Sequence, residues 1–291
     1  MTLTRRSFLA TIATAPALAW ASPRQPWDDD FAQRLAALEA AHGGRLGVCA
    51  LDTATGDTLA FRAYERFPMC STFKALLAAQ VLAEVDAGRT SLDERLTWTA
   101  ADVVSWSPVV DAADGATGLA VGELCRAAVT VSDNTAANLL LARHGGPAGL
   151  TAWLRATGDD TTRLDRNEPS LNEAVAGDPR DTTTPAAMVR TWRALLQGDT
   201  LGATSRERLT AWLVANTTGD ARLRAGLPGW RVGDKTGTSG NRVSNDVAVA
   251  WPPGGGAPVF VAAYYAESPA DPAARDGVIA EVGRIVGAWA A

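Results

Sequence analysis

Apolar residues recur three or four positions apart at Phe31, Leu35, Leu38 and Ala41. That spacing lines one face of a helix, so Trp27 to His42 is expected to be an amphipathic helix stopped by Gly43-Gly44. The pattern then changes. Leu46 to Leu51 and Thr58 to Arg62 read as strands flanking Asp52-Thr53-Ala54-Thr55-Gly56-Asp57, a hairpin turn. A second group of strand-like runs comes late, at Trp230 to Thr236, Asn245 to Trp251 and Pro258 to Tyr265, and Ala273 to Ala290 follows as a helix. From about Ser71 to Ala215 the chain reads mostly helical, with cap signals at Asp102, Thr130 and Thr184-Pro185 and stops at Gly88 and Gly145-Gly146. Arg163 to Asp181 is the exception: it has no apolar periodicity and carries Pro169, Gly177 and Pro179, so it reads as a surface loop.

Strands at both ends of the chain with helices between them predict an α/β plus all-α architecture of two lobes. Residues 22–66 and 216–291 would form an antiparallel sheet flanked by the terminal helices. Residues 67–215, including the 163–181 loop, would form an inserted helical lobe. The cleft between the lobes is where a site is expected.

Composition narrows the chemistry. The chain has 291 residues and a formal charge of -5, and losing residues 1–21, which carry Arg5 and Arg6 and no acid, would make it two units more negative. This argues against nucleic acid as a partner. His42 and His144 are the two histidines, and each precedes Gly-Gly at a predicted helix end, where an imidazolium meets the negative end of the helix dipole. That leaves little material for a His-based triad or metal site, and no Cys-x-x-Cys spacing supplies one, so neither metal nor cofactor is expected. Cys49, Cys70 and Cys125 are odd in number and scattered, so at least one thiol is free unless pairing is intermolecular. At the start, Thr4-Arg5-Arg6-Ser7-Phe8-Leu9, an apolar stretch through Trp20 and the small-residue pattern Ala19-Trp20-Ala21 read as an export signal, residues 1–21, too short to span a bilayer. Its paired arginines resemble the twin-arginine type. The mature protein is therefore expected in the periplasm or outside the cell, off the membrane.

Three short runs carry the candidate chemistry: Ser71-Thr72-Phe73-Lys74, Ser132-Asp133-Asn134 and Lys235-Thr236-Gly237. Together they supply a nucleophile, two amines, a second hydroxyl and an amide, which is what acyl transfer needs. Ser71 stands where a loop meets the predicted helix Thr72 to Ala87, at the positive end of its dipole, and Lys74 lies one turn on, on the same face. An amine there can help take the hydroxyl proton if burial lowers its own pKa. In isolation the pair reads as a capping serine followed by a solvated lysine. Its company gives it weight.

With Glu168-Pro169-Ser170-Leu171-Asn172, these runs resemble the four motifs of class A serine β-lactamases, in the same order and at similar spacings, from about Leu35 to the C-terminus. The resemblance implies hydrolysis of penicillins and cephalosporins through a serine acyl-enzyme, conferring resistance to β-lactam antibiotics. Ser71 would be the nucleophile, with the N–H groups of Ser71 and Thr238 as oxyanion hole. Lys74 would help activate Ser71, and Ser132, with Lys235 beside it, would protonate the departing nitrogen. Glu168 and Asn172 would hold a water that attacks the acyl-enzyme. Lys235, Thr236, Gly237 and Thr238 would line the substrate, Asn134 would bind its acylamide, and Trp106 would wall the cleft. Asp133 would brace its loop rather than touch substrate. A cis bond between Glu168 and Pro169 and a loop-closing pair between Arg166 and Asp181 are also implied.

Some positions depart from other members. An arginine that in some grips the substrate carboxylate is here Ser244; Arg222 matches an arginine others use instead, with Arg275 in reserve. Cys70 resembles the cysteine that carbapenem-hydrolysing members bridge to one after the Lys-Thr-Gly run. Here that stretch is Thr238-Ser239-Gly240, so the bridge cannot form, and the set is nearer to members that handle extended-spectrum cephalosporins. Two other readings of the serine and lysines are a slowly deacylating peptidoglycan carboxypeptidase or transpeptidase, and a β-lactam-sensing module acylated once. The Glu168 loop argues against both. A monomer is the default expectation.

Overall fold

A computed structural model describes residues 26–290. The expected export signal lies outside the described residues. A five-stranded antiparallel sheet is built from β1 (Arg45–Asp52), β2 (Thr58–Phe61), β7 (Arg231–Ser239), β8 (Val243–Trp251) and β9 (Val259–Ala266) in the order β2-β1-β9-β8-β7. β1, from the early part of the chain, pairs along its whole length with β9, Arg45 opposite Ala266 through to Asp52 opposite Val259. The remaining strands are two-residue bridges, β3 (Phe67–Pro68) with β6 (Thr182–Thr183) and β4 (Arg95–Leu96) with β5 (Leu119–Ala120).

Strand side chains alternate between two cores, as a period of two requires. Val48, Ala50, Val261, Ala263 and Tyr265 face α1 (Pro26–His42) and α9 (Pro272–Trp289), meeting Leu35, Ile279, Val282 and Val286. Cys49, Leu51, Phe260, Ala262 and Tyr264 face the other way, toward the inserted helices. Every residue of β9 is buried, which is why Val259 to Ala266 reads as an unbroken apolar run with no polar alternation.

The inserted helices are α2 (Phe73–Asp86), α3 (Val121–Thr130), α4 (Asn134–Arg143), α5 (Gly146–Ala156), α6 (Pro185–Leu196) and α7 (Ala203–Val214), with the single turn α8 (Leu223–Gly226) leading back to the sheet. α2 is the central one. Phe73 to Leu82 are all buried, so α2 has no polar stripe and its lysine, Lys74, lies wholly out of solvent.

Two of the expected caps differ. Thr184 does cap α6, accepting from Ala187 N–H at 3.2 Å. Thr130, however, ends α3 rather than starting a helix, and the cap of α4 is Asp133, whose carboxylate accepts from Ala136 N–H at 2.8 Å. Asp102 closes a short 3-10 turn whose cap is Thr99. An Asp or Thr near a helix end satisfies backbone groups from either side of the boundary, so residue type fixes the end to within a turn only. Likewise β7 runs to Ser239 rather than stopping at Thr236, which puts the whole Lys235-Thr236-Gly237 run inside an edge strand.

Candidate active site

Ser71 is not the first residue of α2 but the middle of a 3-10 turn, Cys70–Thr72, that feeds into it. Cys70, just before it, takes a left-handed φ of 46°, a conformation that disfavours side chains and turns the chain sharply. Gly237 of β7 packs flush against this turn: a Cβ at that position would lie 2.5 Å from the Met69 carbonyl oxygen. Only glycine lets the edge strand come so near the Ser71 turn.

Ser71 Oγ donates to Glu168 Oε1 across 3.2 Å, and Lys74 Nζ lies 3.0 Å from the same oxygen. Lys74 also donates to the Ser132 carbonyl at 2.8 Å and to Asn134 Oδ1 at 2.5 Å, with Ser132 Oγ at 3.3 Å. Burial pushes the Lys74 ammonium below the usual lysine range and the Glu168 carboxylate pulls it back. Both side chains are inaccessible, so this ion pair depends on the hydrogen bonds around it.

Ser132 sits at a left-handed φ of 60°, which aims its hydroxyl between two amines. Lys235 Nζ donates to Ser132 Oγ at 3.1 Å and to the Thr236 carbonyl at 2.9 Å. Its pKa is pushed down to about 7 by burial first and by the Lys74 charge second. An amine that exchanges its proton near neutrality thus touches the Ser132 hydroxyl. Asn134 has a fixed polarity: Oδ1 accepts from Lys74, one Nδ2–H donates to the Ser105 carbonyl at 2.7 Å, and the other remains for a ligand. Asp133 accepts from Val109 and Val110 N–H besides capping α4, which is bracing.

The loop from Arg163 to Asp181 is clamped at its neck. Arg166 Nε donates to Asp181 Oδ2 at 2.6 Å, and Asp181 Oδ1 accepts from the N–H groups of Asp165 and Arg166. The Glu168–Pro169 bond is cis. Glu168 is held at both ends. Its N–H and C=O exchange bonds of 2.9 Å with the Asn138 side chain, and Asn172 Nδ2 donates to Oε2 at 2.5 Å. Asn172 Oδ1 is buried and takes no hydrogen bond from the protein, an acceptor left for a water beside the carboxylate. Asn138 is a functional residue that the motifs do not include. Its position four residues after Asn134, on the same face of α4, is the signal that points to it.

A cleft of about 670 Å³ opens over these groups, lined by Ser71, Ser132, Asn134, Asn172, Thr236 and Thr238, with Trp106 largely exposed and Arg222 also in the lining. The Trp106 indole donates to the Val131 carbonyl at 3.1 Å. Lys74, Glu168, Lys235 and Gly237 lie immediately behind this lining, in contact with it but inaccessible. The Arg222 fork, which the sequence offers freely to a carboxylate, is mostly engaged. Nε donates to Asp276, Nη1 to the carbonyls of Gly237 and Asn245, and Nη2 to Thr238 Oγ1 at 2.8 Å, leaving a single Nη2–H. Arg275 is buried against Ser244 Oγ and the Ala270 carbonyl and does not line the cleft. Thr217 and Thr218 do line it, although nothing in their sequence marks them.

Comparison with known proteins accords with this geometry. The model of the β-lactamase enzyme family matches residues 30–290. β-Lactamase AST-1 of Nocardia asteroides is 52% identical over 254 residues, 87% of this chain and 81% of that protein. β-Lactamase CTX-M-25 of Escherichia coli is 45% identical over 283 residues, covering 97% of each. Among solved structures, an ancestral class A β-lactamase reconstructed for Gram-negative bacteria is 63% identical and superposes with a TM-score of 0.86, over 88% of this chain and 98% of that one.

Proposed function

From the premise that this chain belongs to the class A β-lactamase family, whose members open β-lactam rings through a serine acyl-enzyme, we propose how its own residues divide that hydrolysis between them. Ser71 Oγ attacks the lactam carbonyl, its proton passing to the Lys74–Glu168 pair, and the N–H groups of Ser71 and Thr238 receive the oxyanion. Ser132 gives its proton to the departing nitrogen and is reprotonated from Lys235. Asn134 binds the acylamide through its free N–H, Trp106 covers that side of the cleft, and Thr236, Thr238, Lys235 and Arg222 receive the ring carboxylate. Glu168 and Asn172 then hold the water that cleaves the ester.

One observation carries this reading. Glu168 Oε1 lies within hydrogen-bond reach of both the nucleophile and its lysine while Oε2 is pinned by Asn172, so a single carboxylate faces both the ester and its water. A carboxypeptidase or sensor has no use for that arrangement. Mixed in a stopped-flow cell with a large excess of a chromogenic cephalosporin, the protein should turn over many equivalents; one stoichiometric burst followed by silence would refute hydrolysis.

Penicillins and cephalosporins are the proposed substrates, with extended-spectrum cephalosporins supported by the free, buried Cys70 and by Thr238. We assign residues 22–66 and 216–291 to the sheet lobe and 67–215 to the helical lobe. Among the described residues no helix is long and apolar enough to cross a membrane. The arginine pair and apolar run of residues 4–21 support export as a twin-arginine type precursor, placing the activity outside the cytoplasm. Replacing Arg222 by Ala should raise KM about tenfold for substrates bearing the carboxylate, through loss of one charged donor and release of Thr238. Steady-state kinetics against the matching methyl ester, whose KM should not follow, checks this.

A further inference from the structure

Beside the Lys235-Thr236-Gly237 strand runs a chain of hydrogen bonds whose direction follows from its donors and acceptors. Asn216 Nδ2 donates to Asp234 Oδ2 at 2.6 Å, while Asn216 Oδ1 accepts from the Thr218 N–H at 3.1 Å. A backbone N–H only donates, so the Asn216 amide cannot be the other way round. Thr218 Oγ1 lies 2.8 Å from that same Asn216 Oδ1, and this contact is a hydrogen bond only if the Thr218 hydroxyl donates. Its one proton is then committed. The remaining contact, 2.5 Å between Thr218 Oγ1 and Thr236 Oγ1, must be made by the Thr236 proton.

The polarity is set by the Thr218 N–H alone; burial pushes the Asp234 carboxyl up, while Arg224 and Asn216 favour its charged form. Arg224 donates to Oδ1 and Asn216 to Oδ2. The neighbouring buried acid, Asp246, is the one suited to hold a proton: its Oδ1 is inaccessible and receives no donor, and burial together with the Asp234 charge drives its pKa well up. Thr238 is in the opposite state to Thr236. Its oxygen accepts from the Arg222 guanidinium, which can only donate, so its own proton is free to point into the cleft.

We infer that Thr218 is a specificity-determining residue that acts through Thr236: it engages the Thr236 hydroxyl proton, so that of the two strand threonines Thr238 is the ready donor to the substrate carboxylate. This rests on the reading that the cleft receives a β-lactam carboxylate there. For Thr236 to donate as well, its proton must leave Thr218, and the short bond between them must break. Thr218 thereby weakens the grip on the carboxylate, and it does so without touching the reacting atoms.

Thr218→Val keeps the shape and removes the acceptor, freeing the Thr236 proton. For a penicillin, KM should fall about tenfold, the lower end of what one regained hydrogen bond to a charged group is worth, with kcat little moved. For the methyl ester of the same penicillin KM should stay within twofold, and Thr218→Ser, which keeps the hydroxyl, should restore the parent values. An unchanged or raised KM for the free acid in a folded Thr218→Val protein would overturn the inference. Should that variant not fold, the strand threonines decide: Thr238→Val should raise the penicillin KM several times more than Thr236→Val, and equal losses would overturn it. Failure of the hydrolase reading would look different, as no turnover of either compound by the parent protein.

Discussion

Glu168→Ala is expected to stop the enzyme part-way through its cycle, with the opened β-lactam still esterified to Ser71. In the proposed mechanism the two halves of the reaction place unequal demands on Glu168. Acylation needs the Ser71 proton removed, and Lys74 can take it: once Glu168 is gone, the buried ammonium loses its counter-charge, and burial alone drives it toward the neutral, basic amine. Deacylation needs a base beside the water bound at Asn172, and no second carboxylate hydrogen-bonds that residue. General-base catalysis is worth roughly 10²- to 10⁴-fold, so the ester should persist for minutes to hours where it now turns over rapidly. Intact-protein mass spectrometry after mixing with a penicillin should show the chain heavier by one ligand. Recovery of unmodified, fully active protein would remove Glu168 from the mechanism.

The second large effect is structural. Asp181 is buried, and its carboxylate accepts from the N–H groups of Asp165 and Arg166 and from the Arg166 guanidinium. Its backbone contributes too, since the carbonyl accepts from Met69 N–H at 2.9 Å, directly upstream of the Ser71 turn. Asp181→Ala strands two backbone N–H groups and takes from Arg166 one of its two carboxylate partners, Glu173 remaining; at about 1–3 kcal/mol for each unmet donor the loss is about 3 kcal/mol. For a chain of this size that lowers Tm by on the order of 10 °C. The loop neck would open, and Glu168, held from the same loop, would lose its register with Ser71. Calorimetry and kcat should therefore fall together, kcat by more than tenfold by analogy with other misplaced catalytic groups. A melting temperature within 2 °C of the parent would show that the neck contributes little.

The two cases show what the amino-acid order disclosed. The long strands and terminal helices were legible because half-buried or fully buried runs of eight or nine residues carry their own period or a continuous apolar signature. The two-residue bridges β3 to β6 were not, since two residues have no periodicity. Ser71, Lys74, Ser132, Glu168 and Lys235 could be nominated because the runs that carry them resemble the motifs of a known family. What the sequence hides is which donors are already engaged. Arg222 reads as a free fork and is held by Asp276 and two carbonyls; Thr218 reads as an ordinary loop threonine and orients a cleft hydroxyl; Asn138 reads as one more polar position on α4 and holds the Glu168 backbone. Each depends on contacts between residues 15 to 54 positions apart in the chain, beyond the reach of any local pattern.

The pairing of β1 with β9 also governs how this protein can be made. On the ribosome β1 emerges early with only β2 as neighbour, and an isolated hairpin is marginal in water. Roughly 200 further residues must be synthesised before Val259 to Ala266 arrives to cover its other edge, about 10–40 s at ordinary elongation rates. During that interval the apolar strand Leu46 to Leu51 stays open to chaperones, proteases and neighbouring nascent chains. Yield in the cell should thus respond to how well that early strand is guarded during translation, independently of how stable the finished molecule is.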